Sequence, residues 1–299
     1  MYEDIGTLIK RGFETWKRNL NLAVPFVLMV AIMLLVIIMA VLVLITTSPD
    51  VLSTTSDVKD PQQLMDQLRG LINIKLLAVV VLVGILILSL IANFFIAGAI
   101  GMAKEATETG RTTLKDMWAS AKRHYLSLFL AEVLIQIVTI AGLIVLSLPF
   151  ISDLVAGIES GDPKFGPLVL WILLLIVYIL LISIILAIVR YALVVDSLGP
   201  IGAIKAGIGF FSSNKMDVFL VWLVVLVISM AIGFVTGLVR VPLSGSETAS
   251  GIIPIVNGAV TILVISPLTT VWWTRLYMGR TGKLGEKGTE MAHPKTPTD

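Results

Sequence analysis

Two ionisable side chains, Glu132 and Arg190, lie inside long apolar runs of the chain. A charge at the centre of a membrane-spanning helix costs roughly 2.5–3.5 kcal/mol on insertion scales, so such a residue is a candidate for handling a proton or a substrate. Gln136 follows Glu132 by four residues, which places both side chains on one helix face. If the two runs are neighbouring helices, Glu132 and Arg190 lie at similar depths. A structural ion pair between them is then the alternative interpretation.

Asn93 and Asn257 are the other polar candidates within apolar runs, each with a hydroxyl residue four positions away. Such groups commonly bond between helices at about 0.6 kcal/mol on average, which favours a packing role. The sequence contains no P-loop, HExxH or GxSxG motif and no cysteine. Its two histidines, His124 and His293, are far apart along the chain. We therefore predict no catalytic residue, no metal site and no cofactor.

Six long apolar runs must position these residues, and they explain why 57% of the chain is hydrophobic and only 14% is charged. Soluble domains average about 25% charged residues. Runs of about 18 or more apolar residues predict membrane-spanning helices. We predict an all-α, polytopic integral membrane protein whose spans lie at about 20–46, 73–103, 125–150, 166–194, 217–239 and 251–277.

The placement of basic residues predicts how the spans are oriented. Most of the 22 Lys and Arg residues fall in the N-terminal segment, in the second and fourth connections or after the sixth run. The opposite side holds only Lys59, Arg69, Lys75, Lys164 and Arg240. Cytoplasmic segments carry the excess of Lys and Arg. We therefore expect a multi-pass protein of the cell (plasma) membrane with both termini in the cytoplasm.

A short basic segment recurs before three of the runs. The stretch LIKRGFETWKRN (8–19) aligns with TLKDMWASAKRH (113–124) and with AIKAGIGFFSSN (203–214). Apolar residues spaced by three and four, with basic residues opposite, predict an amphipathic helix lying at the membrane interface. The expected interfacial anchors are Phe13, Trp16, Trp118 and Phe211. Independent origin of three similar basic connections is the alternative to an internal repeat.

This repeat predicts a domain organisation. Residues 1–280 form one six-helix transmembrane domain of three hairpins, each preceded by a cytoplasmic interfacial helix. The repeats cover about 1–103, 104–195 and 196–278. Residues 281–299 are polar and contain proline, which is typical of a disordered cytoplasmic tail.

The stretch RYALVVDSLGPIGAIKAGIGFFSSNKMDVF (190–219) resembles a pattern found in prokaryotic, particularly archaeal, six-helix membrane proteins of unknown function. KEATETGRTTLKDMWASAKRHYLSLF (104–129) and SPLTTVWWTRLYMGRTG (266–282) are similar to other parts of that pattern. The group includes the membrane domain of some glycerophosphoryl diester phosphodiesterases. The resemblance implies fold and location but no such activity, because the catalytic domain of those fusions is a separate soluble barrel.

Two functions remain open at this point. The favoured one is a non-enzymatic membrane module that organises lipid or partner proteins. The alternative is a small-solute transporter or permease-like protein that uses Glu132 and Arg190. Membrane lipids are the expected partners and nucleic acid is not, while the sequence does not identify protein partners or an oligomeric state. Direct contact between Glu132 and Arg190 favours the module, whereas a shared wet cavity favours the transporter.

Overall fold

The computed structural model describes residues 3–47, 74–152, 155, 165–240 and 247–284, and the regular structure within these ranges is helical. The α-helices are α1 (Ile5–Arg18), α2 (Val24–Thr47), α3 (Ile74–Thr109), α4 (Leu114–Ser147), α5 (Phe165–Leu186), α6 (Val189–Val195), α7 (Pro200–Ser213), α8 (Lys215–Arg240), α9 (Glu247–Val260) and α10 (Ser266–Arg280). Short 3₁₀ turns cover Leu20–Ala23 and Leu148–Phe150. The predicted tail from 285 onward lies outside the described residues.

Six helical segments are long and apolar enough to cross a membrane, which confirms the predicted number of spans. They are Leu20–Val43, Ala78–Thr109, Leu114–Phe150, Phe165–Val195, Lys215–Val239 and Ile252–Arg280. A hydrocarbon core about 30 Å thick needs roughly 20 helical residues. The 36 residues of α3 and the 34 of α4 exceed that length.

The second basic segment is not a separate helix, which corrects one expectation from the repeat. Residues 114–147 form the single helix α4, because no Gly or Pro interrupts the chain between 114 and 130. By contrast, α1 ends at Asn19 and α7 ends at Asn214, both in non-helical conformations. The segment 113–124 therefore supplies the first turns of the third span.

Buried side chains concentrate at one end of the bundle, which we call the basic end. It comprises residues 3–23, 93–131, 188–221 and 268–284, and it contains all three apolar clusters of the core. Towards the other end, the far half, most apolar side chains are exposed on the protein surface, as at Leu82, Val145, Phe234 and Ile255. Exposed apolar helices of this length are stable in hydrocarbon and not in water.

Helices α3 and α4 pack closely because α3 has glycine where α4 approaches it. A side chain at Gly98 would overlap Met117, and a side chain at Gly101 would overlap Ser120. The Ser120 hydroxyl donates to the Ala97 carbonyl at 2.8 Å. Small residues that let two helix backbones approach are a common packing device in membranes.

Two of the spans contain local breaks. The fourth is interrupted by a turn at residues 187–188 between α5 and α6, and five of the seven residues of α6 are buried. In the sixth span a π-turn (Thr261–Ile265) joins α9 to α10, and Pro267 lies in the first turn of α10. Pro254 lies inside α9, although helix geometry continues through it. The sixth span is thus continuous, with one widened turn.

Candidate functional site

An ionic cluster at the basic end joins the first described residues to the last helix. The Glu3 carboxylate accepts two hydrogen bonds from Arg275, from Nε at 2.9 Å and from Nη2 at 3.1 Å. It also accepts one from Arg11 Nη1 at 3.0 Å. Arg280 donates to the Glu3 carbonyl oxygen at 2.9 Å. We call the contact of Glu3 with Arg11, Arg275 and Arg280 the terminal clasp.

The same cluster continues along α6 and α8. Arg280 Nε donates to Asp217 Oδ2 at 2.6 Å. The Tyr277 hydroxyl donates to Asp196 Oδ2 at 2.8 Å, and Lys283 forms an ion pair with the other oxygen of the Asp196 carboxylate. The C-terminal part of α10 is therefore held against the end of α6 and the start of α8. These hydrogen bonds and ion pairs fix the position of α10 relative to the neighbouring helices.

Arg275 is the most deeply buried charge of this cluster, with 1% of its surface exposed. A guanidinium stays protonated in proteins, so burial is tolerable only when its donors are paired. The two parallel bonds to Glu3 have the fork geometry that suits Arg and a carboxylate. Removing Glu3 would leave a buried charge unpaired, which links the fold of the basic end to this contact.

A second polar contact joins α1 to the turn between α3 and α4. Asn19, 5% exposed, donates from Nδ2 to the carbonyls of Thr15 at 2.9 Å and Gly110 at 3.1 Å. Its Oδ1 accepts from the Thr112 amide at 3.1 Å. Gly110 has a φ of 82°, a conformation that favours glycine. Asn19 therefore fixes the end of α1 on this turn.

Between these two contacts lies a cavity of about 200 Å³, which we call the arginine pocket. It is lined by Arg11, Glu14, Thr15, Arg18, Gly110 and Arg275. Three guanidiniums and one carboxylate give this lining a positive formal charge. The spacing of residues along the sequence did not indicate this pocket.

The structure brings the predicted pair Glu132 and Arg190 together. Arg190 Nε donates directly to Glu132 Oε1. The side chain of Glu132 is 17% exposed and that of Arg190 is 45% exposed. Gln136, one turn further along α4, is exposed rather than joined to this pair by a described hydrogen bond. The pair thus lies at the edge of the α4–α6 contact.

Asn93 and Asn257 each leave an oxygen buried without a hydrogen-bond partner. Asn93 donates to the Ser89 carbonyl on its own helix at 2.9 Å. Within the described part of the chain, no hydrogen bond from Asn93 to another helix is therefore seen, although one was expected. Among the described residues, no three His, Asp or Glu side chains come together as a metal site requires.

Asn257 lines a larger cavity of about 470 Å³ between α8 and α9, in the far half, which we call the apolar groove. Its other linings are almost all aliphatic, among them Ala231, Ile232, Val235 and Ile253. Thr236, also in the lining, uses its hydroxyl on the Ile232 carbonyl at 2.7 Å. Asn257 is therefore the main polar side chain in the otherwise aliphatic lining of the groove.

The four predicted anchors occupy two kinds of position. Trp16 and Phe211 are half-buried and pack against the same core cluster. Phe13 and Trp118 are about half exposed, at 45% and 44%. Phe13 lies 5.5 Å from the Trp16 ring, and Trp118 lies 5.3 Å from the Phe94 ring, measured between centroids. Phe13 and Trp118 are therefore the more exposed two of the four side chains.

Glu3, Asp196, Arg275 and Tyr277 form contacts that the sequence did not indicate. Glu3 and Arg275 are 272 residues apart, and Asp196 and Tyr277 are 81 apart. A charged residue within the aromatic stretch VWWTRLYMGR was the available signal for Arg275, because a charge there needs a partner. Nothing in the sequence names that partner.

Two comparisons with known proteins found matches that span nearly the whole chain. The model of a family described as a domain of unknown function (DUF7847) matches residues 5–278. An uncharacterized protein from Archaeoglobus fulgidus is 26% identical over 296 residues, covering 95% of this chain and 98% of its own length. No solved structure matches. Neither of the two matches names a phosphodiesterase membrane domain, so that finer resemblance stays a prediction.

Proposed function

The chain belongs to the DUF7847 family, and on that premise we propose that it is a non-enzymatic, multi-pass membrane module that organises lipid. It holds an acyl chain in the apolar groove between α8 and α9. Membrane lipids are its partners in this proposal, and neither nucleic acid nor a cofactor has a role.

The basic end faces the cytoplasm in this proposal, and the membrane is the plasma membrane. Lys and Arg are concentrated at this end, on α1, around the α3–α4 turn and after α10. The far half then lies in the outer part of the bilayer. Cysteine substitutions test this orientation cleanly because the chain has no native cysteine. Ser160→Cys should react with an impermeant thiol reagent added outside, and labelling of Thr296→Cys in intact cells would contradict the assignment.

Three related units, each a basic segment followed by a helical hairpin, underlie this architecture. The burial of aligned positions supports the repeat. Gly12, Met117 and Gly207 occupy one aligned position, and all three are buried where a neighbouring helix packs against them. Seven residues downstream, another aligned position holds Asn19, His124 and Asn214, of which the first two are buried and the third is partly buried. In this proposal α1 and α7 lie in the interface plane.

The apolar groove is the observation that carries the proposed function. Its volume of about 470 Å³ falls within the roughly 300–1,000 Å³ of ligand pockets in proteins. Its walls belong to spanning segments in the far half, where the surrounding solvent is hydrocarbon. Lipid tails are abundant in this surrounding, and they match the aliphatic walls of the groove everywhere except at Asn257.

The contact between Glu132 and Arg190 weighs against the transporter alternative. Neither residue lines the arginine pocket or the apolar groove. Each side chain instead neutralises the other across α4 and α6. A proton or substrate path would require at least one of them to face water during transport.

Photocrosslinking tests the groove directly. The protein, reconstituted with a lipid that carries a diazirine in its acyl chain, should crosslink preferentially within residues 231–239 and 252–260. Ile253→Trp fills the groove and should strongly reduce these crosslinks. Ile255→Trp is the matched control, because Ile255 is 71% exposed and lies outside the groove lining. Crosslinks spread evenly over all spans, or equal yields from the two variants, would contradict the proposal.

A further inference from the structure

A row of basic and aromatic side chains runs along the first turns of α4 at the basic end. We call it the lysine strip, and its members are Lys115, Trp118, Lys122 and Tyr125. Spacings of three and four residues place all four side chains on one face of the helix. The two lysines and Trp118 are exposed, and Tyr125 is partly exposed. The strip therefore faces the surroundings of the protein rather than its core.

Aromatic contacts with α3 hold the apolar part of the strip in place. The Trp118 ring lies 5.3 Å from the Phe94 ring of α3, and the Tyr125 ring lies 5.8 Å from it, measured between centroids. Lys122 comes four residues after Trp118 and three before Tyr125, so it lies between these two rings on the helix surface. A lysine in such a position covers apolar surface with its aliphatic stem and keeps its ammonium group in polar surroundings.

The ammonium groups of the strip have no anionic partner within the described part of the chain. Neither Lys115 nor Lys122 forms an ion pair or a hydrogen bond there. The carboxylate in the first turn of the same helix, Asp116, accepts hydrogen bonds from the Thr113 amide at 2.8 Å and from the Thr113 hydroxyl at 2.7 Å. Both lysines are therefore free to pair with an external anion.

The strip lies where the polar start of α4 meets the apolar run of the third span. Arg123 is the last cation before the run 125–150, in which Glu132 is the one charged side chain. Lysine and arginine avoid hydrocarbon, whereas Trp and Tyr favour the boundary between hydrocarbon and water. Lipid headgroups occupy this boundary. The surroundings of the strip therefore supply an anion of their own, the phosphate of a membrane lipid.

We propose that the lysine strip binds the headgroup of an anionic phospholipid. Lys122 pairs with the phosphate, since an ammonium group binds phosphate as a point charge, and Lys115 adds to the attraction. The rings of Trp118 and Tyr125 contact the lipid below its headgroup. This inference goes beyond the proposed tail-binding groove, because it concerns a headgroup and residues at the other end of the bundle.

The aligned face of α1 provides a control within the same chain, because it differs by one charge. Lys17 occupies the position aligned with Lys122 and is likewise exposed. Glu14 precedes Lys17 by three residues, whereas Ala119 precedes Lys122 by three. Residues three apart share a helix face, so Glu14 offers Lys17 a carboxylate and repels a phosphate. The face of α1 should therefore bind an anionic headgroup less well than the lysine strip does.

Native mass spectrometry of the purified full-length protein in detergent measures the binding. Phosphatidylglycerol and phosphatidylcholine with identical acyl chains are titrated separately, and an apparent Kd is obtained for each. Because the chains are identical, occupancy of the apolar groove contributes equally to both values. We expect the anionic lipid to bind about tenfold more tightly. Equal affinities for the two lipids, as expected if the strip instead docked an acidic protein, would overturn the inference.

Three variants test whether the preference arises at the strip. Lys122→Gln should weaken phosphatidylglycerol binding about tenfold, equivalent to about 1.4 kcal/mol, and Lys17→Gln should weaken it less than about twofold. Ala119→Glu should also weaken it, without removal of a lysine, because it gives α4 the charge pattern of α1. Melting temperatures within about 2 °C of the original chain are expected for these exposed positions. Equal losses in Lys122→Gln and Lys17→Gln, or unchanged binding in Ala119→Glu, would refute the site.

Discussion

The pair of Glu132 and Arg190 allows a quantitative test of whether the intramembrane charges serve structure. Breaking a fully buried pair by removing one partner costs about 3–5 kcal/mol, because it leaves a charge in low dielectric. Exposed pairs contribute only about 0.2–1 kcal/mol. Glu132 is largely covered, whereas Arg190 is nearly half exposed. We therefore expect an intermediate coupling energy of about 1–3 kcal/mol.

The assay is a double-mutant cycle on thermal unfolding in detergent. Glu132→Gln and Arg190→Gln should each lower the melting temperature by about 2–12 °C, given roughly 2–4 °C for each kcal/mol in large domains. The double variant should recover part of that loss, because no unpaired charge remains. Lys205→Gln, an exposed cation on α7, controls for the removal of a charge and should shift the midpoint by less than about 1 °C.

Strict additivity of the two single variants would refute the structural pair. If Glu132 instead carried a proton in a wet cavity, its Gln variant would be as stable as the original chain, since a neutral amide resembles the protonated acid. Arg190→Gln would then act independently of residue 132. Such a result would favour the transporter over the non-enzymatic membrane module.

Three further variants test the packing of the basic end in the same assay. Gly101→Val should destabilise the protein by about 1–3 kcal/mol or more by forcing α3 from Ser120, whereas Gly84→Val, which faces open space, should be nearly neutral. Arg275→Gln should cost about 3–5 kcal/mol by leaving Glu3 without its main partner, and an equal midpoint for this variant and the original chain would contradict the clasp. Trp16→Glu should lower the melting temperature more than Trp118→Glu, because Trp16 packs against the core whereas Trp118 is nearly half exposed; the reverse order would refute the assigned contacts.

The spans were predictable because hydrocarbon imposes a length and a composition on each of them. The ends of the helices were harder to predict from the sequence, as α4 shows. Its first turns carry the same basic and aromatic pattern as α1, yet they continue into the span without the break that Asn19 makes after α1. The pattern specifies an amphipathic face but does not specify whether the helix bends after it.

The two cavities were not predictable for a different reason. The arginine pocket depends on contacts between Glu3 and Arg275, which are 272 residues apart. The spacing of residues within short segments does not predict contacts between such distant positions. Glu132 and Arg190 could be matched because adjacent spans place them at similar depths. Asn257 was recognised as a polar residue in a span, but its place in the groove depends on how α8 and α9 separate.

The terminal clasp also determines how the protein responds to mechanical force. A pull between the two ends of the described chain loads the contact of α1 with α10 first, because Glu3 is bonded to Arg275 and Arg280. Until that contact ruptures, the spans between them carry little tension. In a single-molecule stretching experiment, the first rupture should therefore release only the terminal segments, and extraction of the spans should begin in later events.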